Sequence, residues 1–553
     1  MAITRESLEQ IWNQWEIELV VLLSFTLQIF LFFTGCIRRY STNALLRLLT
    51  WLAYVAADMV AVYALGLISR DGQSTMSSAG SCHRNKRSNR FSTGTSRQLA
   101  FFWAPFLLVH LGGQDTISAF SIEDNNLWLR HLLNLTIQVS LALYAFWKSI
   151  GGQNQRLLAP GILVFVTGII RYGERIWALK CSSRNGLRET NLPPLPKLNF
   201  EVDKGSYVGT ICYVLGSMVC IRDLFSGRTT SQMKERAVFR FQEDRPLDQV
   251  PKLLEVELAM MYDDLFTKAM LLRTRTGVVL RTSSKLMTII RKILIAVEKK
   301  VFIRNLQHTK HVNLSKDVMD SVVTWVGRLA REEFTRITQQ QRWVNLRPII
   351  NPTMNTLANS LGDNIIFLHT YTELHLQKHS SNMDDETIST TMDICRKISN
   401  YMVYLLVVHP SMLPLSGTAA DTLAKFYEKI SKNGSGKQDV LDTAYQLVTD
   451  KLEFGDEECL KEQEQPGPWG ETLTEIQDMW MRLLLYAAGK CPVELHAQQL
   501  GRGGELLTLV WLLMAHNGIG NVGHQVELIT NDETMVGQFC AFHYPKESKH
   551  RSA

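Results

Sequence analysis

Long apolar runs alternate with short charged connectors over the first 225 residues. The runs lie at 17–37, 45–68, 99–111, 127–150 and 157–179, with a further run at 207–221. A helix needs roughly 20 apolar residues to cross the hydrocarbon core of a bilayer. The pattern therefore predicts a transmembrane domain over 1–225, in which 207–221 is either a sixth span or a buried helix.

Two stretches interrupt this pattern. The run at 99–111 contains Pro105 and is short for a span, which favours a tilted or re-entrant segment. The stretch 70–98 is polar and of low complexity, so we expect a disordered insertion there.

The last third of the chain has the periodicity of amphipathic helices. Ile394, Ile398, Met402 and Leu405 recur at helical spacing before His409-Pro410 stops the run. Thr472 and Glu475 have the spacing of a capping box at the start of another helix. The apolar run 505–516 is too short to span a bilayer and predicts the central helix of a bundle.

The predicted fold is thus mostly α, with N-terminal multi-pass transmembrane helices followed by a soluble helical C-terminal domain. The domain boundaries predicted from these patterns are 1–225, 226–360 for a basic amphipathic connecting region, 361–545 for the helical domain and 546–553 for a tail.

The basic charge of the chain is concentrated in the connecting region. Between Lys268 and Arg342 there are sixteen Lys and Arg against five Asp and Glu, although the whole chain carries only +6. Residues 285–306 have an apolar stripe at helical spacing, which predicts a helix on the cytosolic membrane surface. A calmodulin-type target helix and a core helix packed on the C-terminal bundle are the alternatives. The side chains expected to contact anionic headgroups are Lys292, Lys299, Lys300 and Arg304.

Charged residues within and beside the apolar runs are the candidate site. Asp58 lies in the middle of the run 45–68, where a carboxylate either serves function or bonds to a neighbouring helix. Opposite charges at the ends of adjacent spans predict a cluster at the membrane boundary, in which Arg171, Glu174 and Arg175 lie beside either Asp115 or the pair Glu123 and Asp124. By contrast, Asp263 and Asp264 are expected to face water.

No motif indicates a metal, a cofactor or a catalytic nucleophile. The nine cysteines are scattered without a CxxC pair, which favours free thiols in a reducing compartment. His375 and His379 share a helical face but lack the Glu of a zinc-protease motif. The modest net charge argues against nucleic acid as a partner, and no pattern defines an oligomeric state.

Several motifs resemble a known family. GGQDTISAF at 112–120, IEDNNLWLRH at 122–131, RYGERIWAL at 171–179 and VELAMMYDDLFTK at 256–268 are similar to plant multi-pass proteins that carry domain of unknown function 4220. The segments 399–414 and 483–519 resemble its C-terminal companion, domain of unknown function 594. The resemblance implies a plant membrane protein and assigns no catalytic residue.

Three functional classes remain open. The first is a membrane-anchored interaction or scaffold protein, whose partners are the bilayer and proteins bound by the C-terminal domain. The second is a transporter or channel subunit that uses intramembrane polar residues, and the third is an intramembrane enzyme. We expect an integral protein of the plasma membrane or an endomembrane, with the C-terminal domain in the cytosol.

Overall fold

The structure is a computed structural model, and it describes residues 5–39, 43–77, 103–150, 155–189, 207–228, 249–273, 316–331, 346, 361–378, 386–415, 469–502, 504–517, 527–529 and 541–543. The predicted α class is confirmed. The helices of the first half are α1 (Arg5–Arg38), α2 (Ala44–Ser77), α3 (103–111), α4 (Ile122–Asn126), α5 (Trp128–Ile150), α6 (Gln155–Ser182), α7 (Arg184–Glu189), α8 (Tyr207–Phe225), α9 (Val250–Phe266) and α10 (Met270–Arg273).

The second half continues with helices and ends in a short hairpin. Its helices are α11 (Lys316–Arg331), α12 (Leu361–Lys378), α13 (Glu386–Val408), α14 (Trp469–Lys490), α15 (Val493–Leu500) and α16 (Leu506–His516). Strands β1 (Glu527–Ile529) and β2 (Ala541–His543) pair antiparallel, with Leu528 opposite Phe542.

The chain divides into two compact units. Unit 1 comprises residues 1–200, 258–311 and 497–503, and unit 2 comprises 201–257, 312–496 and 504–553. The structure therefore places the domain boundaries differently from the sequence pattern. Helix α8 belongs to unit 2 and not to the N-terminal domain, and the segment 226–360 contributes to both units because its helices pack into their cores.

Helix α3 lies at the centre of unit 1. Its residues Ala104, Leu107, Leu108 and Leu111 are all buried. They pack in one apolar cluster with side chains of α1, α2, α5 and α6, among them Val21, Ala61, Ala64, Leu65, Ala142, Phe165 and Tyr172. A short helix that is apolar on every side is stable only where other helices surround it.

Two glycines allow helix α6 and the end of α3 to approach closely. A Cβ on Gly168 would lie 3.0 Å from Leu108 Cβ, and one on Gly112 would lie 2.9 Å from Arg171 Cβ. Both distances are shorter than ordinary carbon contacts, so larger residues at these positions would force the helices apart. The glycines therefore bring Arg171 beside the C-terminal end of α3.

Large apolar side chains also cover the outside of unit 1. Phe33 on α1, Met59 on α2 and Leu133 on α5 are 62%, 67% and 62% exposed, and Ile162, Leu163 and Val166 on α6 are exposed as well. By length and composition, two helices in the described part of the chain could cross a membrane, over Glu16–Gly35 and Ala44–Ile68. Helix α2 continues to Ser77, so its end occupies part of the stretch predicted to be a disordered insertion.

Unit 2 is built around α16, as the sequence predicted for the run 505–516. Every residue of α16 is buried. Trp511 contacts Phe225 of α8 edge to face, with the ring centroids 5.1 Å apart, and stacks on His496 at 4.5 Å. Most apolar side chains of α14, such as Ile476, Trp480 and Leu484, are buried too, and this helix begins at Trp469. Thr472 and Glu475 therefore form no capping box, and Glu475 instead accepts a hydrogen bond from the Leu346 amide at 2.8 Å.

A buried polar group joins three helices of unit 2. His516 Nε2 lies 2.7 Å from one carboxylate oxygen of Glu257, and Ser217 Oγ donates to the other at 2.5 Å. These residues come from α16, α9 and α8, and none of the three is exposed to solvent. The helix formed by 207–221 is thus held in unit 2 by a polar contact that the sequence pattern did not reveal.

We expect Glu257→Leu to lower the free energy of unfolding by about 3–5 kcal/mol, because it removes the buried carboxylate that contacts both His516 and Ser217. The double variant Glu257→Leu/His516→Leu should recover part of this loss. Chemical unfolding of the full-length chain measures both effects. Lys397→Ala is a matched control, since it removes an exposed ion pair with Asp393 and should change stability by less than about 0.5 kcal/mol. Additive losses in the double variant would contradict the coupling.

His496 predicts an acid sensitivity of unit 2. Burial lowers the pKa of His496 from 6.5 to about 4, with its ring held between Thr508 Oγ1 at 3.1 Å and the Ala488 carbonyl at 3.2 Å. The unfolded chain therefore binds a proton at higher pH than the folded chain. Relative to His496→Gln, we expect the parent to lose roughly 3 kcal/mol of stability as the pH falls from 6.5 to 4. Unfolding curves of the parent and of His496→Gln across this pH range test this prediction. A difference in stability between the two proteins that does not change with pH would contradict it.

Candidate functional site

The C-terminal end of α3 is buried, and its carbonyl groups need partners inside unit 1. The last carbonyls of an α-helix have no partner within the helix and carry a partial negative charge. Here the chain turns at Gly113, whose φ of +67° suits glycine. The carbonyl oxygens of His110, Leu111 and Gly112 are each met by a different side chain from a distant part of the chain.

Arg175 of α6 donates a hydrogen bond to the second of these carbonyls, that of Leu111, and connects α3 to α2. Its Nη1 donates to the Leu111 carbonyl at 3.0 Å and to Asp58 Oδ1 at 2.8 Å. Its Nη2 donates to Asp58 Oδ2 at 2.8 Å and to Tyr54 Oη at 2.9 Å. The Arg175 side chain is only 2% exposed, whereas that of Asp58 is 34% exposed. The guanidinium fork thus neutralises Asp58 bidentately and fixes α2 against α6.

Lys268 donates a hydrogen bond to the third carbonyl, that of Gly112. Its Nζ donates to the Gly112 carbonyl at 2.8 Å and lies 3.7 Å from Asp115 Oδ1, and its side chain has no exposed surface. The same Asp115 oxygen accepts from Arg171 Nη2 at 3.3 Å.

The first carbonyl, that of His110, accepts a hydrogen bond from a side chain of α1. Gln28 Nε2 donates to the His110 carbonyl at 3.1 Å, and Gln114 Nε2 donates to Gln28 Oε1 at 3.0 Å. Ser24 Oγ lies 3.0 Å from His110 Nδ1 on the same face of α1. Helices α1, α2 and α6 and the segment before α10 therefore all supply polar groups to one end of α3.

Backbone hydrogen bonds hold Lys268 in place. The Lys268 amide donates to the Asp115 carbonyl at 3.0 Å, and the Ser118 amide donates to the Phe266 carbonyl at 2.8 Å. Residues 115–118 and 266–268 thus run side by side, and we call these two paired segments the junction. The side chain of Asn125 adds a bond to the Leu265 carbonyl at 2.9 Å.

The structure brings together only part of the predicted charge cluster. The pairing of Arg171 with Asp115 is present, and Glu174 is buried on the same helix. Arg175, however, pairs with Asp58. Asp124 instead caps α4, where its carboxylate accepts from the amides of Phe120 and Ser121 in a capping box, and Glu123 is exposed in the first turn of that helix. Lys292, Lys299, Lys300 and Arg304 lie outside the described residues.

Sequence reasoning missed Tyr54, Gln28 and Lys268. Lys268 is the last residue of the motif 256–268, so its position in a family motif was the available signal. The expectation for the adjacent acidic pair was wrong for one member. Asp264 is fully buried, and its backbone carbonyl accepts a hydrogen bond from Ser182 Oγ of α6. Asp263 lies 3.8 Å from Arg39 near the surface.

The chemistry available to this network is hydrogen bonding and ion pairing. Within the part of the chain that the structure describes, no group of His, Cys, Asp and Glu side chains could hold a metal ion. Arg171 and Arg175 each have a buried Nε atom that no described residue accepts from. These donors could bind water or an anionic group.

The described helices define a class: an α-helical protein whose apolar N-terminal helices enclose a buried ion-pair network. The model of the family described as Domain of unknown function (DUF4220) matches residues 51–329, half of the chain, and the chain belongs to this family. A second model, Protein of unknown function DUF594, matches residues 469–519. No curated protein and no solved structure matches the chain.

Arg175→Lys tests whether the guanidinium fork is essential to unit 1. A lysine keeps the charge but cannot bind Asp58 bidentately while also reaching Tyr54 and the Leu111 carbonyl. We expect a loss of about 3 kcal/mol and a melting temperature lower by several degrees, measured on detergent-purified protein. The exposed Arg130 on α5 provides the matched control, Arg130→Lys, which should melt like the parent. Equal melting of both variants would show that a single positive charge is sufficient.

Proposed function

We propose that this protein is an integral membrane protein whose unit 1 is embedded in the bilayer and whose unit 2 binds protein partners. The observation that carries the proposal is the apolar outer surface of unit 1. Exposed large side chains follow α1, α2, α5 and α6, including Leu22, Leu52, Leu129 and Leu163. Soluble proteins rarely expose contiguous apolar patches larger than a few hundred Å². We therefore expect the acyl chains of membrane lipids to contact this surface.

The interior of unit 1 supports the same proposal. In lipid, a helix can end within the bilayer only if the protein supplies partners for its last carbonyls. Helix α3 ends in this way, with Gln28, Arg175 and Lys268 as the partners. This arrangement fits a multi-pass protein in which α3 is a re-entrant helix. The plant origin and the multi-pass topology implied by the family resemblance are part of the proposal.

Within this class, we favour a membrane-anchored interaction or scaffold protein. Unit 2 has a buried helical core around α16, and Tyr404, Val407 and Val408 form an exposed apolar patch at the end of α13. Such a patch suits a protein partner. The buried free thiols of Cys395 and Cys491 in unit 2 agree with a reducing compartment. We therefore place this unit in the cytosol, at the plasma membrane or an endomembrane.

A transporter or channel subunit is the second candidate. It is favoured by the intramembrane position of Asp58 and Arg175 and by the two buried Nε donors of Arg171 and Arg175. Ionisable residues within a membrane domain frequently mark ion or substrate pathways. Proteoliposomes loaded with a pH-sensitive dye test this candidate. A proton flux that Asp58→Asn abolishes would favour transport over the scaffold.

Leu133→Arg tests the membrane position of unit 1. Leu133 is 62% exposed on α5, so in water an arginine there would be harmless. At the centre of a bilayer it costs about 3 kcal/mol. We expect the parent to stay in the membrane pellet after alkaline extraction and Leu133→Arg to accumulate less there. Val407→Arg, at a 54% exposed valine of unit 2, is the control and should fractionate like the parent. Release of the parent by alkali would refute the proposal.

A further inference from the structure

Two tryptophans and a lysine form a cluster where α5 begins and α6 ends. Lys180 Nζ lies 5.2 Å from the centroid of the Trp128 ring and 5.4 Å from that of the Trp177 ring. Lys180 is exposed, and both tryptophans are half-buried. Further along the same two helices Phe146 stacks on Phe165, so α5 and α6 run antiparallel. We call the end of unit 1 that contains Lys180 and the two tryptophans the basic end.

The exposed charges at the basic end are mostly positive. Helices α4, α5, α6 and α7 pack together there, and the Arg184 amide donates to Asn126 Oδ1 at 3.0 Å. Among the described side chains of these four helices, Glu123 is the exposed acid. The exposed bases are Arg130, Lys180, Arg184 and Arg188. The basic end therefore presents an excess of positive charge to its surroundings.

The apolar outer surface of unit 1 begins directly beside the basic end. Leu129, Leu133 and Ile137 are exposed along α5, and Tyr144 is exposed about 24 Å beyond Trp128 along the helix axis. This length is close to the roughly 30 Å of a hydrocarbon core. Tryptophan and tyrosine favour the headgroup level of a membrane, and lysine and arginine extend their charges toward it. The basic end is therefore at headgroup depth when acyl chains cover the apolar surface.

Helix α1 shows that the two ends of unit 1 differ in charge. Its last residue, Arg38, donates to the carbonyls of Ala119 and Phe120 directly before α4, so α1 ends at the basic end. Glu18 is exposed about 30 Å away along the same helix axis. The described part of unit 1 thus has several exposed cations at one end and an exposed carboxylate of α1 at the other.

We propose that the basic end of unit 1 binds the phosphate groups of anionic phospholipids in the cytosolic leaflet. Lys180 and Arg130 supply exposed donors to the headgroups, and Trp128 and Trp177 hold the lysine at the boundary with the apolar surface. Anionic lipids are concentrated in the cytosolic leaflet, where they attract basic segments beside membrane spans. This inference rests on the bilayer position of unit 1 in the proposed function, and it adds the class of lipid and the side of the membrane.

Thermal melting of the full-length protein in mixed micelles tests the lipid class. Phosphatidylserine replaces phosphatidylcholine stepwise at constant total lipid. The parent should be stabilised, and the amount of phosphatidylserine that gives half of the effect should rise about fivefold for each cation removed in Lys180→Gln and Arg130→Gln. Lys180→Arg should behave like the parent. Lys252→Gln, at an exposed lysine of α9 in unit 2, is the matched control and should also behave like the parent. A double variant Lys180→Gln/Arg130→Gln that responds like the parent would overturn the proposal.

Cysteine labelling tests the side of the membrane. Asn185 is exposed on α7, and sealed microsomes of the endoplasmic reticulum have their cytosolic face outside. A membrane-impermeant maleimide should label Asn185→Cys above the parent before detergent is added. The six Lys and Arg of 70–98 follow the other end of α2 and favour the reverse orientation. Labelling that appears only after detergent would overturn the assigned side.

Alkaline extraction separates a failure of this inference from a failure of the proposed function. A parent that stays in the membrane pellet but shows no preference for phosphatidylserine would overturn the headgroup site alone. Release of the parent by alkali would instead refute the bilayer position of unit 1, and the headgroup site with it.

Discussion

Three consecutive carbonyl groups at the buried end of α3 impose the constraint on which unit 1 depends. A helix that stops inside a protein must find donors for these oxygens or lose several kcal/mol for each. Gln28, Arg175 and Lys268 supply side-chain donors from three separate parts of the chain, and the Gly113 amide also donates to the His110 carbonyl. Each side-chain donor also fixes a helix or segment: α1, α6 and the junction before α10. The charges of the two cations then require the carboxylates of Asp58 and Asp115. The polar network follows from the need to end one short apolar helix in the interior.

Unit 2 shows that the two family regions of the chain are not separate modules. Glu257 lies within the residues that match the first family model, and His516 lies within those that match the second. The two side chains meet at 2.7 Å in one buried group. Phe225 and Trp511 make a second contact between the two matched regions, here between aromatic rings. The core around α16 therefore contains residues from both matches, so the second region folds against part of the first.

The helices were largely predictable from the sequence, because apolar periodicity is a local property. The C-terminal end of α13 followed from the position of Pro410, and the burial of α16 followed from the length of its apolar run. The partners in the polar network were much less predictable. Asp58 and Arg175 are 117 positions apart, and their meeting depends on the rotation of α2 and α6 about their axes. The sequence analysis placed Lys268 only at the start of the basic region, because its burial depends on the path of residues 112–118. The pairing of Arg171 with Asp115 was one of two alternatives that the sequence left open, because opposite charges lie within and beside the apolar runs.

The contact between Gln28 and the His110 carbonyl has a practical consequence for work on relatives of this protein. The family model begins at residue 51, inside α2, so the whole of α1 precedes the matched region. A fragment trimmed to the matched residues would lose the Gln28 amide and Ser24, and it would open one side of the apolar cluster around α3. Poor expression of such a fragment would reflect the loss of the contacts between α1 and α3. Choosing fragment ends from the contacts of α3, instead of from the limits of sequence similarity, keeps the N-terminal unit intact.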